Sequence, residues 1–154
     1  MRNVAREAGL TLIEVVAVLA IVAMLAALAL PRWPEGTTRP QLEAYALRVA
    51  ALLKADRNAA VRTRARVETL VSPATRQVVS GAGVGEVRLP EDVAFDALVA
   101  ETCSGRENGS AIAFLPSGTS CGGSIALARP SAAYHVRVNW LTGGVEVVAA
   151  DPAR

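Results

Sequence analysis

Glu14 is the first side chain whose chemistry asks for an explanation. It stands in Leu10 to Leu30, LTLIEVVAVLAIVAMLAALAL, 21 residues whose only polar members are Thr11 and Glu14. Carrying a carboxylate toward the centre of a membrane costs up to about 2.5–3.5 kcal/mol, so a run that needed only apolarity would not contain one. Glu14 therefore implies a partner of opposite charge. Few other residues have chemical potential. Cys103 and Cys121 are the only cysteines and show neither a CxxC nor a Cys/His spacing, so no zinc site is expected. Outside the cytoplasm they could close a loop over the 17 residues between them, worth roughly 3 kcal/mol in chain entropy; the alternative is two buried thiols acting as small apolar side chains. His135 is the only histidine, so any catalytic triad or Cys/His pair must use it. It alternates with Val136, Val138 and Trp140, which puts it with Arg137 and Asn139 on a solvent-facing side. Glu91, Asp92 and Asp96 could pair as carboxylates or calcium ligands, but no dense oxygen-ligand spacing surrounds them. Asn108-Gly109-Ser110 fits a glycosylation sequon and reads as a turn. The expectation is a protein that is not an enzyme and has no catalytic residues, metal or cofactor.

The element that positions Glu14 is an apolar helix. A 21-residue helix rises about 30 Å, the thickness of a bilayer's hydrocarbon core. Arg2 and Arg6 precede it, so the positive-inside bias leaves residues 1–9 in the cytoplasm and the rest outside. Three readings compete: a secretory signal peptide, for which Ala27-Leu28-Ala29 offers a cleavage site, a plain anchor, and a segment in which Glu14 has a task. Pro31 ends the unbroken run and, with Pro34 and Pro40, interrupts the helical pattern, giving a kink or short melt.

Gly9-Leu10-Thr11-Leu12-Ile13-Glu14-Val15 resembles the type IV prepilin motif: a glycine at the cut, an apolar first mature residue, then TLIE and an apolar helix. Leu10 departs from the commoner phenylalanine or methionine. The resemblance implies that a prepilin peptidase cuts between Gly9 and Leu10 and methylates the new amino terminus on Leu10, with Glu14 the fifth mature residue and Pro31 a helix kink. The glutamate then gains a reason. Cleavage leaves an ammonium at the end of an apolar helix, where an uncompensated charge is costly. Glu14 lies one turn away, and in a filament it can reach a neighbour's amine and set the axial register.

The remainder reads as one soluble α+β domain, since 154 residues leave room for no more. Residues 41–64 have helical periodicity, with Leu42, Tyr45, Val49, Leu52 or Leu53, and Ala59 or Ala60 on one face. Arg57, Arg62, Arg64 and Arg66 have no interleaved aromatics and stand beside Asp56 and Glu68, so they read as a solvated face and not a nucleic-acid stripe. The net charge of +2, or +1 without Arg2, Arg6 and Glu7, agrees. Strands are expected at 66–72, 77–80, 86–89, 94–99, 111–115, 124–129, 134–141 and 145–149. Gly81-Ala82-Gly83-Val84-Gly85 reads as a flexible connection that lacks the GxGxxG spacing, and Thr142-Gly143-Gly144 as a hairpin turn.

Ala111-Ile112-Ala113-Phe114-Leu115-Pro116-Ser117-Gly118 and Leu141-Thr142-Gly143-Gly144-Val145 resemble the protein H group of type II secretion minor pseudopilins and the related minor pilins of type IV pili. This resemblance implies a pilin-like fold: a long N-terminal helix, membrane-spanning then amphipathic, packed on antiparallel β-sheet. The implied segments are a leader at 1–9, an assembly helix at 10–31 and a periplasmic domain at 32–154. Prepilin peptidase, other major and minor pseudopilins, and an inner-membrane secretion platform are the implied partners. Where relatives often carry arginine in the closing turn this chain has Gly144, which favours secretion over DNA uptake. A type IV pilus subunit and a secreted enzyme with an ordinary signal peptide are the alternatives.

Overall fold

The computed structural model describes residues 11–29 and 36–151. The chain divides into two units, residues 1–34 and residues 35–154. In the first, helix α1 spans Leu12–Ala29, opened by amides of Glu14 and Val15 donating to the Thr11 carbonyl at 3.0 and 3.2 Å. Its described side chains are exposed on every side, and apart from Glu14 it is apolar all round, with no single stripe to bury. Its 18 residues rise about 27 Å, and among the described residues no helix is by itself long and apolar enough to cross a membrane.

The second unit opens with helix α2, Arg39–Thr63. Pro40, expected to interrupt a helix, lies instead in the first turn, where no intrahelical donor is lost. The Gln41 side chain accepts from the Thr38 amide at 2.8 Å and closes that end. Leu42, Ala46, Val49, Leu53 and Ala60 form a buried stripe, while Tyr45, expected in it, is only half-buried.

Ten strands follow: β1 Val67–Ser72, β2 Gln77–Val79, β3 Glu86–Arg88, β4 Ala94–Val99, β5 Thr102–Cys103, β6 Arg106–Glu107, β7 Ala111–Phe114, β8 Gly123–Arg129, β9 Ala132–Val138 and β10 Val145–Ala150. They make two four-stranded sheets, β3-β2-β1-β7 and β10-β9-β8-β4, and a two-stranded hairpin, β5-β6. All pairings are antiparallel. Helix α2 packs on both larger sheets, against Val71, Val78, Ile112 and Phe114 on one and Ile125, Leu127, Val136 and Val138 on the other. The fold is thus α+β, with a helix on antiparallel sheet. The pattern that continues β9 to Leu141 ends at Val138, because Asn139 turns the chain; Trp140 is 67% exposed and does not extend the buried face.

Asp56 stands inside the α2 stripe with no exposure to water. Its Oδ2 accepts from the Thr69 hydroxyl at 2.6 Å and the Gly81 amide at 3.0 Å; its Oδ1 accepts from the Ser80 hydroxyl at 2.5 Å and the Ala82 amide at 3.2 Å. The glycine run after β2 is therefore not the flexible connection expected of it. The Ser80 amide donates to the Gly85 carbonyl at 3.0 Å, and the Ser80 hydroxyl accepts from Val84 at 3.2 Å. A Cβ on Gly81 would collide with the Glu68 carbonyl, so only glycine brings this backbone within reach of Asp56. Asp56→Asn keeps the shape but removes one acceptor, leaving buried donors unpaired. It should lower the unfolding free energy by about 3 kcal/mol, measured by urea titration of the full chain in detergent.

Candidate assembly site

Gly9, Leu10 and Pro31, the expected cleavage, methylation and kink positions, lie outside the described residues, as do Arg2, Arg6 and Pro34. Glu14 is described. It occupies the first turn of α1, where the partial positive charge of free amides favours a carboxylate. The helix contains no basic residue, so a full counter-charge must come from outside residues 12–29.

In the globular unit, the two segments singled out in the sequence meet through one side chain. The first runs through β7 into a turn in which Leu115 N donates to Thr119 O at 2.9 Å and Gly118 N to Leu115 O at 2.9 Å. The second follows β9: Asn139 N donates to Gly144 O at 2.9 Å, and the Asn139 side chain accepts from Leu141 and Thr142 amides at 2.9 and 3.0 Å. Arg57 of α2 reaches both. Its Nε donates to Gly118 O and its guanidinium NH2 to Thr142 O, each at 3.0 Å. Gly143 has φ +61°, and a Cβ there would collide with Gly118 O, which restricts the position to glycine. Gly144 has no such limit; a Cβ would meet only the Thr142 hydroxyl, at 3.0 Å.

Beside this lies a second fastening. Cys103 of β5 and Cys121, just before β8, form a disulfide with Cα atoms 5.6 Å apart. Arg66 donates to Cys103 O at 3.0 Å and to Asn108 Oδ1 at 2.9 Å. The side-chain Nδ2 of Asn108 donates to Ala100 O at 3.1 Å and Ala111 O at 2.5 Å. Asn108 is therefore a buried tie and more than the expected turn residue. Arg57 and Arg66 likewise do not belong to a solvated face: both are half-buried, Arg57 held by two loop carbonyls and Arg66 by the Cys103 carbonyl, the Asn108 side chain and an ion pair with Glu68 at 2.6 Å. Arg62 and Arg64 are exposed, Arg64 in the left-handed conformation that ends α2. Neither tie had a sequence signal, since nothing in the local pattern says which carbonyls a distant arginine will find.

The remaining candidates do not converge. His135 sits on β9 opposite Ala126 and Val148, half-buried. Asp96 accepts from the Ala97 amide at 2.8 Å, and Asp92 binds Thr37 and Arg129. Among the described residues no three His, Cys, Asp or Glu side chains cluster as metal ligands. Replacing Arg57 by lysine, a point charge without the planar fork, should cost about 1–2 kcal/mol and speed amide exchange in both turns, 116–119 and 141–144; exchange rising in only one would show that Arg57 does not couple them.

The family described as type II transport protein GspH matches residues 46–143, which hold Arg57, the first turn and all but the last residue of the second, and the prokaryotic N-terminal methylation motif matches residues 4–30. No curated protein matches the chain. Among solved structures, the minor pseudopilin EpsH from the type 2 secretion system of Vibrio cholerae is similar over 74% of this chain and 98% of its own, at 13% identity and a TM-score of 0.51. The type IV minor pilin FimU of Pseudomonas aeruginosa is similar over 74% and 96%, at 14% identity and a TM-score of 0.52. The structural likenesses establish a fold held in common with both kinds of subunit. The match to GspH spans well over half of the chain, and the chain belongs to that family of type II transport proteins.

Proposed function

We propose that the protein is a minor pseudopilin, a structural subunit of the type II secretion pseudopilus that takes part in protein export across the outer membrane. The observation that carries this reading is the GspH match over residues 46–143 behind a methylation motif at residues 4–30. In this reading a prepilin peptidase cuts between Gly9 and Leu10 and methylates Leu10. The apolar helix holds the subunit in the inner membrane with residues 1–9 cytoplasmic, and the globular unit faces the periplasm. The Cys103–Cys121 disulfide supports that side, since disulfides persist in oxidising compartments. The partners are other major and minor pseudopilins and the inner-membrane secretion platform.

Assembly follows from charge. The amine freed on Leu10 stands four residues before Glu14, which lies in the first turn of α1, a spacing that allows attraction within one chain and leaves the pair free to re-form between chains. Leaving the membrane with the charge matched to a neighbour's costs less than carrying it bare, so pairing selects one stagger among many that apolar packing alone would allow. A type IV pilus minor pilin is the second reading, favoured by the likeness to FimU.

Mass spectrometry of the mature chain should find methylated Leu10 at its start; a start at Leu30 would mean an ordinary signal peptide and defeat both readings. Deleting the gene should abolish exoprotein secretion and spare twitching and transformation; the reverse pattern would select the pilus reading. Glu14→Ala should still be inserted and cleaved, yet its cross-linking into the filament should fall roughly tenfold. Normal incorporation would refute the register argument.

A further inference from the structure

The globular unit begins with a fastening that neither the α2 cap nor the core requires. Asp92, in the loop between β3 and β4, accepts from the Thr37 amide at 2.5 Å through Oδ2 and from the Thr37 hydroxyl at 2.9 Å through Oδ1. Arg129, the last residue of β8, forms an ion pair with Oδ2. Gly36 closes over both, with φ +89°. A Cβ there would stand 2.7 Å from Asp92 Oδ2 and 2.5 Å from an Arg129 nitrogen. Thr37 is 55 residues from Asp92, and Asp92 is 37 from Arg129, so the contact ties three separate stretches of chain.

We propose that Thr37, Asp92 and Arg129 form a load-bearing clasp, which passes tension arriving through the N-terminal segment into the sheet that contains β8 and so shields the first turn of α2 from unwinding. The argument is one of order along the chain. A pull transmitted through residue 35 reaches Gly36 and Thr37 before it reaches α2. With the clasp closed, it works against charge-assisted hydrogen bonds, which are stronger than neutral ones. With the clasp open, it falls on the Gln41–Thr38 cap and the Leu42–Thr38 backbone bond, which carry no charged partner. The inference rests on the geometry of the globular unit and stands whichever filament the subunit joins.

The clasp is sensitive to protonation. The hydrogen bonds from the Thr37 amide and hydroxyl, with Arg129 beside them, hold the Asp92 carboxyl below its ordinary value. Among the described residues, the other charged or titratable groups on that side are Tyr45 and Arg48 of α2, which line the same groove, the adjacent Glu91, and Arg76 after β1, whose guanidinium donates to the Pro90 and Val93 carbonyls of the same loop. A carboxyl whose pKa is lower folded than unfolded contributes stability that is fully present above the unfolded value, about 3.9. That contribution is lost as the pH falls through the depressed folded value.

Hydrogen exchange on the full chain in detergent micelles tests the clasp. Asp92→Asn should raise amide exchange at residues 38–44 roughly tenfold at pH 7, the scale of a lost charge-assisted bond, and leave β7 unchanged, while Glu91→Gln should match wild type. As the pH falls below 3.9, wild type, corrected for intrinsic exchange, should approach the Asp92→Asn rates, which should stay flat. If Asp92→Asn unfolds globally, Thr37→Val, which removes only the hydroxyl bond, gives the same reading at smaller amplitude. In single-molecule pulling from residue 35, the first rupture should need more force in wild type than in the clasp variant. Unchanged exchange at 38–44, or equal rupture forces, would overturn the proposal.

Discussion

Asp56 governs how the globular unit closes. Placing a carboxylate in the face by which α2 meets the sheets carries a desolvation cost of several kcal/mol unless every lone pair is used. Here two hydroxyls and two amides use them. The consequences spread outward. Thr69 must point inward, which turns Leu70, 54% exposed, out to solvent and sets the phase of β1. With Thr69 and Val71 inside, β1 pairs Leu70 with Ala111 of β7 and Val71 with Val78 of β2. The loop after β2 must bring Ser80, Gly81 and Ala82 to the helix, which places β3 at the sheet edge.

Glu14 poses the same problem with another solution. Both residues are carboxylates on an apolar face or run of a helix, where a bare charge is costly. Asp56 finds neutral donors inside its own unit, so its charge is satisfied as the chain folds. Among the described residues, Glu14 has the weak positive end of α1 near it, which offsets part of a charge and not the whole. A satisfied carboxylate fixes one fold; in the function proposed above, a partly satisfied one keeps an affinity for the amine of a neighbouring subunit.

Much of this was legible in the sequence because it follows from periodicity. Strand β4 runs over 94–99 as alternation requires, α2 differs from its expected bounds by two residues at the start and one at the end, and the glycine pair after β9 turns the chain back in register, Val145 opposite Val138. The misses share a cause: long-range polar contacts leave no local pattern. Asp56 in sequence looks like one more charge in a basic cluster, and Gly81 to Gly85 looks loose because glycine suits both a mobile loop and a close backbone approach. Trp140 continues an alternation that Asn139 has already ended by accepting amides from Leu141 and Thr142. The two-residue strands β5 and β6 are too short to show a period at all, and they stand where the Arg66, Asn108 and disulfide ties supply what strand length does not.

The fold is shared with EpsH and FimU at only 13% and 14% identity, and the positions of this chain differ in how much exchange they allow. The apolar stripe of α2 and the inner faces of the sheets tolerate exchange among side chains of similar volume, so they keep the architecture while losing resemblance. The turns are more restricted. Gly143 must remain without a side chain because Gly118 lies against it, and Arg57 must reach two carbonyls at once. Between those fixed points Gly144 has no left-handed backbone and room for a side chain. A chain can therefore change what this turn presents to a partner without disturbing the core. Differences between subunits that share this fold are cheapest to make at such positions, on turns pinned from beneath by the helix that also fills the core.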